Sequence, residues 1–124
     1  MEGNSMDSRQ YQEIMEKLDF IEFRQELMFT NTDIDRSIFE YKITRGQYRA
    51  IMNLMDEYRD LIDNGKTCSH GEFEQRMYEI LPERDGDYHM CEEIAKNFML
   101  DGRWEEVFMK LYGDMAKYSH LKRE

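Results

Sequence analysis

Apolar side chains recur at alternating steps of three and four through residues 8–29, "SRQYQEIMEKLDFIEFRQELMF". Tyr11, Ile14, Leu18, Ile21 and Met28 fall in line there, and Gln25 fills the one gap. This spacing keeps one side of a helix apolar and, carried over several turns, makes a heptad-like seam. It predicts a long amphipathic helix. Met15, Phe20, Phe23, Leu27 and Phe29 widen the apolar surface beyond a narrow stripe. Such a helix needs cover on more than one side, from the rest of its own chain or from a second copy.

The pattern then breaks at "TNTDID", where Thr32 or Asp33 can cap a new helix through Ile38, Phe39 and Tyr41. In "ITRGQY", Thr44 and Gln47 stand three apart as a capping box, opening a helix of about 20 residues. Its apolar side holds Tyr48, Ile51, Met55, Tyr58 and Ile62, and "DNG" ends it with Gly65 where a left-handed backbone is cheapest. Ser69 and Glu72 repeat the capping pattern before Phe73, Met77, Ile80 and Leu81, and Pro82 stops that helix. Asp87 caps the next, which buries Cys91, Ile94, Ala95 and Phe98. "LDGRW" is a tight turn around Gly102, and the last helix presents Trp104, Val107, Phe108, Leu111, Tyr112 and Met115. No alternating strand pattern and no internal repeat appear. The expectation is an all-α, compact multihelical domain of about six helices: a flexible start at 1–7, a single domain over 8–118 and a frayed tail at 119–124.

Composition agrees. The 124 residues suit one domain, and a single proline with 35% charged residues fits helices with solvated outer faces. Seven Phe, eight Tyr and eleven Met suffice for a core and argue against disorder. Most of the methionines fall at core-compatible spacing. The net charge of −10 argues against direct nucleic-acid binding, which needs clustered cations, and against attraction to an anionic membrane. Residues 1–41 hold ten acidic and four basic side chains, a balance of −6, so the N-terminal third is the acidic part. A basic protein partner would be steered to it. No run of about 20 apolar residues and no secretory signal is present. Two cysteines in that setting read as free thiols in the cytoplasm.

The run from "RSIFEYKITRGQYRAIMNLMDEYRDLIDNG" through "FEQRMYEI" to "YHMCEEIAKNFMLDGRWEEVFMKLYGDM" resembles the YhaI-like family, small all-helical proteins of low-GC Gram-positive bacteria and their prophages. The likeness spans roughly residues 11–118 and rests on helix order, loop placement and the "GRWEEVF" turn. It implies an all-α, self-associating fold and a phage-related setting. It carries no catalytic residue.

Two metal sites are weighed against plainer readings. Cys68-x-His70 and His89-x-Cys91 offer a zinc set of two cysteines and two histidines. Residues two apart on a helix diverge by about 200°, however, and Cys91 shares a face with Ile94, Ala95 and Phe98, as a core thiol would. Glu13-x-x-Glu16 and Glu57-x-x-Asp60 match the carboxylate pairs of magnesium-dependent all-α nucleotide pyrophosphohydrolases, since carboxylates three apart on a helix face one cation. With 27 acidic residues such spacings arise by chance, and no basic or Gly-rich element is assigned to a triphosphate. The leading expectation is a non-enzymatic interaction protein, a homo-oligomer whose interface is Tyr11, Ile14, Leu18, Ile21 and Met28. A finer version makes it an acidic inhibitor of a basic host or defence protein; the alternatives are the magnesium enzyme and the structural zinc protein.

Overall fold

A computed structural model describes residues 7–121 of the chain. Six α-helices follow one another: α1 (Ser8–Thr30), α2 (Asp33–Glu40), α3 (Arg45–Asp63), α4 (His70–Ile80), α5 (Tyr88–Leu100) and α6 (Glu105–Tyr112). Short 3-10 turns lie at Pro82–Arg84 and Ala116–Leu121, and no strand occurs among the described residues. The fold is all-α, as the periodicity predicts.

The helices α1 to α5 each start where a short polar side chain can take the free backbone N–H groups of the first turn. Thr44 accepts from the Gln47 N–H while the Gln47 side chain reaches back to Thr44, a complete capping box. Thr32, Ser69 and Asp87 cap α2, α4 and α5 in the same way. Asp7 and Gln10 make a second reciprocal box at the head of α1. The stops are as regular. After α3 the Lys66 and Gly65 N–H groups bond back to the Leu61 and Ile62 carbonyls. After α5, Arg103 and Gly102 do the same to Phe98 and Met99. Both glycines have positive φ, 70° and 79°, which is the backbone this stop demands. α2 ends by the same motif with Lys42 at φ 56°, a position the sequence does not advertise.

α5 lies at the centre. Met90, Cys91, Ile94, Ala95 and Phe98 are wholly buried, and around them pack Ile34 and Ile38 of α2, Ile51 and Met55 of α3, Phe73 and Met77 of α4, and Val107 and Phe108 of α6. Trp104 adopts a left-handed backbone (φ 51°) at the head of α6. Two contacts hold it there: its ring meets Phe98 edge-on at 4.9 Å, and its Nε1 donates to Asp56 Oδ1 at 2.9 Å. The chain expected to fray beyond residue 118 instead continues in 3-10 turns to Leu121, with Tyr118 buried edge-on to Phe108 at 5.0 Å. Residues 1–6 and 122–124 lie outside the described residues.

One cap crosses the fold. Asp101, at the end of α5, accepts from the backbone N–H of Asp33 (3.3 Å) and of Ile34 (2.9 Å) at the head of α2. A carboxylate on a helix N-terminus is favoured by both hydrogen bonding and the dipole. Asp101→Ala is therefore expected to cost about 1–2 kcal/mol, read as a lower urea midpoint, whereas Asp101→Asn, which keeps one acceptor oxygen, costs less.

Candidate interaction surface

α1 has two apolar faces and only one of them is covered. Phe23 and Leu27 are its buried residues, with Phe20 half-buried beside them. They rest mainly on α2, and the Phe23 ring lies 6.0 Å from that of Tyr48. Two arginines fasten this inner side. Arg24 donates to the Phe39 carbonyl at 2.9 Å and lies over the Phe39 ring at 3.7 Å. Arg45, from the first turn of α3, reaches across to Asp19 (3.1 Å), Glu26 (2.6 Å) and, at 3.7 Å, Glu22. Its guanidinium sits over Phe23 and holds the Glu26 carboxyl below the usual range.

The outer face carries the predicted seam. Tyr11, Ile14, Leu18, Ile21 and Met28 are 57, 46, 53, 54 and 57% exposed, and Met15 and Phe29 beside them 44 and 90%. At about 100° per residue, this stripe points roughly 150° away from the Phe20–Phe23–Leu27 face. Every residue from Ser8 to Asp19 is exposed, and the Asp19–Arg45 ion pair ties the end of this half to α3. An apolar stripe of this length on one helix is the kind of surface that marks an interaction site. Met15 and Met28 thereby leave the core that methionine spacing suggests for them; among the described residues Met55, Met77 and Met90 are wholly buried.

The carboxylates of the magnesium reading do not come together. Among the described residues no group of three or more His, Cys, Asp or Glu side chains could hold a metal ion. Glu13 and Glu16 lie on the exposed half of α1, where Glu16 accepts from Gln12. Glu57 is taken by Arg76 in a two-pronged ion pair, 2.5 and 3.0 Å, which lowers its pKa. Asp60 is exposed on α3. The zinc set is likewise unassembled. Cys91 is wholly buried on α5, as its register with Ile94 predicts, while His89 lies tilted against Tyr88 at 4.2 Å and stays exposed. His70, the first residue of α4, lies 3.6 Å from Glu74 and beside the Tyr112 ring. Cys68 is a half-buried free thiol in the loop before it.

No family model, curated protein or solved structure matches this chain. The surface must therefore be read from its own chemistry. No helix among the described residues is long and apolar enough to cross a membrane. The net charge of −10 sets the chain against an anionic lipid surface. Phe29 and Met15 are the surface residues that a five-residue seam omits. Both sit one step beyond a seam position, at the e place of the heptad, where side chains flank a coiled-coil contact.

Proposed function

We propose that this chain is a non-enzymatic helical interaction protein that works by self-association and protein–protein binding through the outer face of α1. The supporting observation is the stripe itself: seven large apolar side chains, 44–90% exposed, on a helix that buries Phe23 and Leu27 on its other side. The first half of α1 adds to it. A free helix of about 12 residues is only marginally stable in water, and docking of a partner along the stripe would supply the missing tertiary support. The likeness to the YhaI-like family points to the same self-association and to a phage-related role.

The acidic edges of α1 favour a basic protein as a further partner. Asp19 and Glu22 are exposed alongside the stripe, and both share their countercharge, Arg45, with Glu26. Such a partner would arrive by electrostatic steering, with an on-rate that falls as salt rises.

Mass measurement in solution tests the central claim. The unaltered chain is expected to self-associate in a concentration-dependent way. The double substitution Leu18→Glu and Ile21→Glu puts two charges into the seam, which costs several kcal/mol when the surface is desolvated, and leaves a folded monomer whose far-UV helicity is nearly unchanged. A wild-type chain that stays monomeric at high concentration and binds no protein through this face would refute the proposal.

A further inference from the structure

We infer that the occupant of the α1 stripe is a second copy of this chain, joined in a parallel, in-register two-stranded coiled coil. This choice rests on the interaction reading above and adds the partner, its direction and its register.

The heptad assignment places Tyr11, Leu18 and Gln25 at a positions and Ile14, Ile21 and Met28 at d positions. The flanking g positions are Gln10, Lys17 and Arg24, and the e positions are Met15, Glu22 and Phe29. Each of these side chains is exposed except Arg24, which is half-buried and held by Phe39. Area is sufficient. A large side chain buries on the order of 200 Å², so seven that are about half exposed offer roughly 700 Å² per copy, close to the ~800 Å² per partner of a specific interface.

Direction follows from the polar members. In a parallel pair each g side chain meets the e side chain five residues on in the other helix. Lys17 then faces Glu22 of the second copy, twice by symmetry, and the two copies of Gln25 meet at one layer, where each amide can donate to the other. Polar pairs at an a position are known to set register in this way. The antiparallel pairing with full overlap joins Tyr11 to Met28, Ile14 to Gln25 and Leu18 to Ile21. It puts Gln25 against an isoleucine with no amide opposite and places Glu22 against Met15, leaving Lys17 with no carboxylate across the rim. Opposite charges across the rim in one arrangement, and unpaired charges with an unmatched amide in the other, separate the two. The folded bodies do not obstruct the parallel form, because they hang on the faces of α1 turned away from the seam.

Disulfide trapping tests this. In a Cys68→Ser background, with Cys91 wholly buried, the variant Ile14→Cys places two thiols opposite each other only in the parallel register; the antiparallel one separates them by about 16 Å, roughly eleven residues of helix rise. Mild added oxidant is expected to convert Ile14→Cys chains to covalent dimer. It should yield no heterodimer when an Ile14→Cys chain is mixed with a Gln25→Cys chain. Lys17→Glu should weaken association about tenfold, and Lys17→Glu with Glu22→Lys should recover most of it. Heterodimers between the Ile14→Cys and Gln25→Cys chains, without homodimers of the Ile14→Cys chain, would establish the antiparallel form and overturn the inference while leaving self-association intact. A chain that is monomeric alone but binds a different protein through the stripe would also overturn it. A chain that does neither removes the functional reading as well.

Discussion

Phe98→Ala is expected to destabilise the protein by about 4–5 kcal/mol, the upper part of the range for a buried aromatic truncated to alanine. Phe98 is wholly buried at the end of α5 and three aromatic or cationic groups converge on it. Tyr48 stacks on it at 6.1 Å, Trp104 meets it edge-on at 4.9 Å and the Arg103 guanidinium lies over it at 5.3 Å. Its carbonyl also accepts the Arg103 N–H that closes the helix. Each aromatic pair is worth about 0.5–1.5 kcal/mol beyond its area, and the cavity left behind cannot be refilled by residues already locked on α3 and α6. For a domain with about 5–15 kcal/mol in hand, the melting temperature should drop by roughly 15 °C. Trp104 is the only tryptophan, so its emission reports the site without interference; it should shift to the red as the ring loses its cover. An unchanged urea midpoint in Phe98→Ala would mean that the α5–α6 corner does not anchor the fold. The same substitution separates stability from association, because Phe98 is buried on α5 and the stripe lies on the outer face of α1.

The legible part of this fold is the part written locally. Thr44 with Gln47, Ser69, Asp87, Gly65, Gly102 and Pro82 each act within a turn of where they stand, and each marks a helix boundary in the structure. The buried side of α5 is legible too, because Cys91, Ile94, Ala95 and Phe98 repeat at helical spacing and all go inward. What local patterning does not reveal depends on residues far apart in the chain. Asp101 caps α2 across 67 and 68 residues. The left-handed Trp104 is held by Asp56, 48 residues away. No propensity rule predicts either.

The candidate surface is divided in the same way. Periodicity shows that α1 has apolar residues nearly all round, but not which side the body covers. The structure chooses Phe23 and Leu27, with Arg24 and Arg45 fixing that choice through Phe39 and through Asp19, Glu22 and Glu26. The heptad seam is left outside. The mirror-image cysteine and histidine pairs mislead for a physical reason: His89 and Cys91 lie in the first turn of α5, where residues two apart turn away from each other, and one member of each pair has other company. Cys91 joins the core, and His70 lies beside Glu74 and Tyr112.

Raising the pH from 8 to 11 is expected to cost more stability than any surface substitution. Burial, with the Glu74 carboxylate second, holds the Cys91 thiol up to about 12 from an ordinary value of 9.0. Burial and a hydrogen bond donated to Glu74 at 2.8 Å hold the Tyr112 phenol well above its ordinary 10.0. Tyr78 is raised by burial and by its contact with Cys91, and Tyr118 is pushed up to about 12 by burial and by Glu92. In the unfolded chain these groups lose their protons between about pH 8.5 and 10, while the folded chain keeps them. The unfolded state then binds fewer protons, so stability falls as pH rises, by about 1.4 kcal/mol per pH unit for each group still protected. Cys91 and Tyr112 are 0 and 1% exposed, which leaves little solvent to screen the effect. By pH 11 Cys91 and Tyr112 alone should cost about 4 kcal/mol, comparable with the whole stability of a marginal domain. Urea titrations should show a flat midpoint up to about pH 8.5 and a steady fall beyond it. Cys91→Ala, measured against its own value at pH 8, should delay the fall to about pH 10, where only the phenols remain. Phenolate absorbance that rises well before unfolding by more than the exposed tyrosines, Tyr11 and Tyr88 among them, can supply would show instead that buried tyrosines ionise inside the fold. In that case the interior formed by α4, α5 and α6 would be wetter than the burial of Cys91 and Tyr112 requires.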